Sequence, residues 1–166
     1  MFERRLVTAL VTVLLGLLPA GVAAQSPAPD GSPTAITLEP FEDAAYGLRS
    51  VAPAGWDGAG MGIRMRARAP GDQTLLALQS APVAPEGLWP SLLPQLGLTS
   101  IPEPTGRRTT PAGLEWDLYR VPVGATIADL GLAAAPGVTY LALLVSAPGE
   151  RDSLFDAVFL PAIDAL

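Results

Sequence analysis

From Ile36 onward, short apolar stretches alternate with turn residues, a rhythm of strands rather than of long helices. Residues 46–51 predict a first strand, closed by Pro53, Gly55 and Trp56, and Gly58, Gly60 and Gly62 predict a loose turn after it. Residues 61–68 alternate apolar side chains with Arg, the period of two of a half-buried strand. Pro70-Gly71-Asp72 then turns the chain into residues 74–80, a Leu- and Ala-rich run suited to a more central strand. Residues 107–110 and 114–121 flank Pro111-Ala112-Gly113, a hairpin signal. In its second arm Leu114, Trp116 and Leu118 share one face, and Glu115, Asp117 and Tyr119 the other. Residues 126–134 and 138–146 bracket Pro136-Gly137 as a last hairpin.

Two segments carry a helical period. Residues 86–98 place Leu88, Leu92 and Leu96 four apart, although Pro90 and Pro94 oppose a helix there. Residues 154–166 form an apolar stripe of Leu154, Phe155, Val158, Phe159, Ala162, Ile163 and Leu166, with Glu150 and Asp152 where acids suit the start of a helix. Pro161 is expected to kink this helix near its end. Strands, a helix, more strands and a closing helix predict an α+β fold: an antiparallel β-sheet with covering helices.

Ahead of this pattern lies a different one. Arg4 and Arg5 precede an uncharged apolar run over residues 6–18, then Pro19 and a small-residue stretch ending Val22-Ala23-Ala24. That order predicts a signal peptide over residues 1–24, cut after Ala24. The uncharged stretch approaches the ~20 residues a spanning helix needs, but Pro19 and Gly21 break it where a peptidase needs extended chain. No Cys follows it to carry a lipid. The expectation is a secreted or periplasmic protein with no stable membrane anchor. Residues 25–35, rich in Pro, Ser and Gly, read as a flexible linker, and residues 36–166 as a single domain.

Charge narrows the partners. With Glu3, Arg4 and Arg5 removed, 8 Arg face 15 acids. Nucleic acid and anionic membrane surfaces require a basic footprint and are not expected. The sequence contains no Cys, His, Lys or Asn. Zinc, haem and copper lose their preferred ligands, and Ser-His-Asp or Cys-His catalysis lacks its imidazole. Schiff-base chemistry and a Walker phosphate loop lack their lysine. No cofactor and no metal site are expected.

The stretch Tyr46-Gly47-Leu48-Arg49-Ser50-Val51-Ala52-Pro53-Ala54-Gly55-Trp56 resembles the opening strand of PsbP-like domains, which run from Tyr-Gly into Pro-x-x-Trp. The order of elements over residues 40–166 resembles that family as well. The resemblance implies an α/β/α sandwich and an exported protein. Similar domains also precede serine hydrolase domains in some exported bacterial proteins; with the sequence ending at Leu166, the resemblance implies no hydrolase activity here, and with no His it implies no photosynthetic metal binding.

Candidate sites are few. Arg64, Arg66 and Arg68 would line one strand face and offer a stripe to a carboxylate, a phosphate or an acidic partner, or else pair across the sheet with acids such as Glu115 and Asp117. Glu115 and Asp117 would stand roughly 6–7 Å apart along their strand, a spacing a glycosidase pair or a calcium site uses, and one that any two alternating exposed acids share. Glu39, Glu42 and Asp43 read as a solvated lead-in, and the glycines over residues 58–62 as a turn rather than a phosphate loop. Trp56, Trp89 and Trp116 read as core, with one other reading for Trp89: beside its two prolines, a poorly formed helix over residues 88–98 would leave an exposed apolar patch for binding. Together these predict a monomeric, non-catalytic accessory or binding domain, with Arg64, Arg66, Arg68 and Trp89 meeting a protein or small-molecule partner. The other readings are a carboxylate-only hydrolase on Glu115 and Asp117, and a carrier of a small apolar ligand.

Overall fold

A strand covered on both faces loses the apolar–polar alternation and reads as a nearly continuous apolar run, and three strands of this protein do so. In the computed structural model, which describes residues 36–44 and 46–166, the strands are β1 (Leu38–Asp43), β2 (Leu48–Pro53), β3 (Asp57–Gly60), β4 (Ile63–Met65), β5 (Leu75–Ala81), β6 (Gly106–Thr109), β7 (Glu115–Val123), β8 (Thr126–Ala135) and β9 (Val138–Ser146). The signal peptide and linker expected over residues 1–35 lie outside the described residues. Seven strands form one antiparallel sheet in the order β3-β4-β5-β9-β8-β7-β6, and β1 pairs with β2 as a separate hairpin. Antiparallel sheet with helices against it is the α+β class the pattern predicts.

On one face Ala77, Ala81, Leu141, Leu143, Val145, Ala128, Leu130, Leu132, Tyr119 and Val121 meet helix α1 (Pro85–Gln95) through Leu88, Trp89 and Leu92. On the other face Leu76, Leu78, Ala142, Leu144, Ala133, Trp116 and Leu118 meet the β1–β2 hairpin and the C-terminal helix. That helix is continuous through α2 (Arg151–Leu154), a π-helical turn (Phe155–Phe159) and α3 (Leu160–Asp164). Burial of each large apolar side chain contributes about 1.5–3 kcal/mol, so two filled cores replace the disulfides this chain lacks.

Helix α1 forms despite its prolines because both sit on its exposed face, at the same four-residue spacing from Glu86. Each Pro removes one N–H donor, and the carbonyls so freed, of Glu86 and Pro90, lie on the side of the helix that water reaches. Pro85 opens the helix, where a missing N–H costs nothing. Gly97, at φ +67°, closes it: Gly97 N–H donates to Pro94 O and Leu98 N–H to Leu93 O at 2.8 Å. At its entry Thr139 Oγ1 donates to Val83 O at 2.5 Å and ties the start of α1 to β9.

Three expectations need correction. Glu39, Glu42 and Asp43, read as a solvated lead-in, belong to strand β1, whose single buried side chain is Phe41. Asp57–Gly60 is a short strand and not part of a loose turn, though all four residues are exposed. The strand expected over residues 61–68 covers Ile63–Met65 alone. Among the described residues no helix is long and apolar enough to cross a membrane.

Candidate functional site

A cleft of about 730 Å³ opens where the N-terminal end of α1 overhangs β6, β7 and β8. Trp89 and Tyr119 form its inner wall, their rings edge to face with centroids 4.9 Å apart. Leu132 and Ala134 of β8 extend that wall. Glu86, Arg107, Glu115 and Asp117 stand around the mouth. The alternation of β7 puts Glu115, Asp117 and Tyr119 on the face that α1 covers only in part. Two of these side chains therefore reach water, while the third is pinned under the helix.

The charges of the cleft are unequally satisfied. Arg107 Nε donates to Asp117 Oδ1 at 2.9 Å across the β6–β7 register. Arg108, also at the cleft edge, turns to the other face of the sheet and donates from Nε to Asp164 Oδ1 at 2.8 Å. Glu86 and Glu115 form no ion pair among the described residues. Tyr119 is 7% exposed, and its hydroxyl makes no hydrogen bond among the described residues. Burial pushes the Tyr119 phenol up, the Asp117 carboxylate adds to this and Arg107 opposes it, with Glu103 and Glu86 acting from farther off. The hydroxyl thus stays protonated at neutral pH inside an acidic field. Among the described residues no group of three or more acids converges on a metal position.

The residues singled out in the sequence are dispersed. Arg64 lies half-buried on β4, its guanidinium 4.7 Å above the Phe41 ring. Arg66 is 8% exposed and donates to Asp72 Oδ2 at 2.8 Å and to Glu150 Oε2 at 2.7 Å. Burial works against its charge, but the two carboxylates outweigh that and raise its pKa. Arg68 is exposed, 3.5 Å from the same Glu150. The three Arg do not line one face, since the strand ends at Met65, and the acids that pair with Arg66 and Arg68 are Asp72 and Glu150 rather than Glu115 and Asp117. Trp89 is 4% exposed and belongs to the core, as do Leu88, Leu92 and Leu96, so the exposed apolar patch offered as its other reading does not form. Trp89 still lines the cleft.

Sequence reading missed Tyr119. Its partners on the alternation, Glu115 and Asp117, read as a solvent face, and only the placement of α1 shows that one member of that face is covered.

A second pocket of about 450 Å³ lies between the β1–β2 turn, Tyr140 and Leu166, and is bordered by Glu42 and Arg49. Those two already pair at 3.2 Å. A third, of about 240 Å³, adjoins the main cleft through Ala84, Pro85 and Ala134 and is lined almost wholly by Pro, Ala, Val and Gly.

No protein-family model matches the chain, and no curated protein matches it in sequence. Among solved structures it is similar to the solution structure of cyanobacterial PsbP (CyanoP) from Synechocystis sp. PCC 6803, at 17% identity over 82% of this chain and 96% of that chain, with a TM-score of 0.49.

Proposed function

We propose that the chain is an exported, non-catalytic binding domain whose ligand site is the cleft between α1 and strands β6–β8. The observation that carries this reading is Tyr119. The Tyr119 ring is almost wholly buried against Trp89, while its hydroxyl, open to solvent and bonded to no group among the described residues, stands at the wall of a 730 Å³ cleft where a ligand can reach it. The leader of residues 1–24 supports export. The filled apolar core beneath α1 leaves an apolar carrier only the shallow Pro- and Ala-lined extension of the cleft.

The site reading is tested by titrating the isotope-labelled full chain with a panel of small amines, acids, alcohols and short peptides, followed by amide and indole NMR shifts. Saturable shifts centred on Trp89, Glu115 and Tyr119 are expected. Shifts clustering around Tyr140 and Arg49 instead would move the site to the second pocket.

The hydrolase reading keeps one favourable observation, that Glu115 and Asp117 both face this cleft. Asp117, however, already accepts a hydrogen bond from Arg107. Hydrolysis of a chromogenic glycoside panel that disappears on Glu115→Gln would overturn the non-catalytic assignment; no turnover above the buffer rate is expected.

A further inference from the structure

We infer that this cleft recognises an organic cation, a ligand carrying an alkylammonium or guanidinium group; the inference rests on the cleft being the binding site.

The balance of charges around the cleft is negative. Each positive charge near the cleft has an acid of its own to balance it: Arg107, largely exposed and bonded through Nε alone, has Asp117, and Arg108 has Asp164. The third source of positive potential is the start of α1, where unpaired N–H groups ordinarily favour an anion. Here Pro85 has no N–H, the Gly87 N–H donates to Ala84 O at 2.9 Å, and the Glu86 carboxylate sits in the first turn. An anion therefore finds no converging donor array, only the outer Nη groups of an Arg107 whose charge Asp117 already balances. The negative groups are in the opposite condition. Glu86 and Glu115 face the cleft without an ion pair among the described residues, and the chain as a whole carries a net charge of −6. That field raises the local concentration of cations.

Tyr119 supplies the independent observation. Its hydroxyl, protonated and lacking a partner, has lone pairs to accept from an N–H donor, and it is fixed by the edge-to-face contact with Trp89. Trp89, Leu132 and Ala134 offer apolar surface for the carbon stem that carries such a group. A bare metal ion fits poorly, because the acids do not converge. The arrangement suits a charge at the end of a stem.

Isothermal titration of the full chain at low salt tests this with agmatine, n-butylammonium, butyrate and n-butanol. Agmatine and butylammonium are expected to bind saturably, with affinity falling as salt rises. The double variant Glu86→Gln/Glu115→Gln should weaken agmatine at least tenfold, about 1.4 kcal/mol. Tyr119→Phe, which keeps the ring and its packing, should weaken it several-fold. All three substitutions are expected to leave the thermal midpoint within a few degrees, so a lost signal is not an unfolded protein. Butyrate or butanol binding as well as the cations, with NMR shifts in the cleft, would overturn the cation assignment and leave the site standing. No shift in the cleft from any probe would overturn both. A Gly-Arg-Gly peptide with blocked ends separates the two sources of the cation. Tighter binding than agmatine indicates a basic side chain of a protein, and weaker binding a free amine.

Discussion

At the scale of single residues, the sheet depends on positions where a side chain would be excess. Gly131 lies on β8 under the C-terminal helix, and a Cβ there would stand 2.9 Å from Trp116 Cε3 and 3.3 Å from Phe159 Cζ. Both rings are almost completely buried and have nowhere to retreat. Gly131→Ala is therefore expected to cost about 1–3 kcal/mol, the usual range for overpacking a core. Gly106→Ala on edge strand β6 has open space around it and should stay within about 0.5 kcal/mol. Urea unfolding of the two variants beside the parent checks this; equal losses at both positions would show that the rings yield. None of this is visible in the sequence, where both glycines interrupt apolar or polar stretches alike. Tyr119 was hidden for a related reason. Alternation assigns a residue to a face, but the coverage of that face depends on a helix some thirty positions away. The charged residues misled in the opposite direction. Arg66 reads as one member of an exposed stripe, while the Asp72 that captures it comes six residues later, past a turn whose geometry no pattern specifies.

At the scale of elements, the C-terminal helix is held at both ends by ion pairs. Arg151 donates to Asp129 on β8, Nε to Oδ2 at 2.7 Å, with both side chains nearly buried. At the far end Asp164 accepts from Arg108 on β6, in a setting more open to water. Without Arg151 the buried Asp129 keeps only the half-exposed Arg120, whose Nε lies 3.6 Å from Oδ1, so Arg151→Ala should cost up to about 3–5 kcal/mol. Replacing both partners with apolar residues, as in Arg151→Met/Asp129→Leu, should return much of that loss. Arg108→Ala, at the wetter pair, should cost about 1 kcal/mol or less. A double-mutant cycle by urea denaturation reads all three, and an Arg151→Ala loss no larger than that of Arg108→Ala would refute the clamp. Between the clamps, Pro161 cannot donate back to Ala157, and the helix widens into the π-turn of Phe155–Phe159. The sequence announced an irregularity at Pro161 but not its form. It announced the β6–β7 and β8–β9 hairpins well, because Pro and Gly fall between two alternating runs. Strands β1 and β3 escaped because each buries one side chain or none, so the signal that identifies a strand is nearly absent from them.

At the scale of the molecule, stability against pH follows from which groups shift and which groups are missing. The chain has no His and no Cys, so no side chain has its ordinary pKa between about 5 and 8. On the acid side stands Asp72: burial raises its pKa, but hydrogen bonds from Arg66 and Thr74 outweigh this and hold it below the ordinary carboxylate value. A carboxyl depressed in the folded state contributes stability that is fully present above its unfolded pKa, about 3.9, and is lost as pH falls through the folded value. On the alkaline side stand Tyr46 and Tyr119, both raised chiefly by burial. The unfolded chain ionises these phenols first, from about pH 10, and stability declines above that point. The expected profile is a plateau between about pH 5 and 9 with a fall at either end, measured as the thermal midpoint by circular dichroism. Asp72→Asn should lower the plateau by about 1–3 kcal/mol, since Arg66 would keep Glu150 but lose its second carboxylate, and should flatten the acid limb. A variant as steep in acid as the parent would show that the Arg66 network does not set the limb. A step near pH 6.5 in the parent would contradict the whole account, because no side chain of this protein ordinarily titrates there.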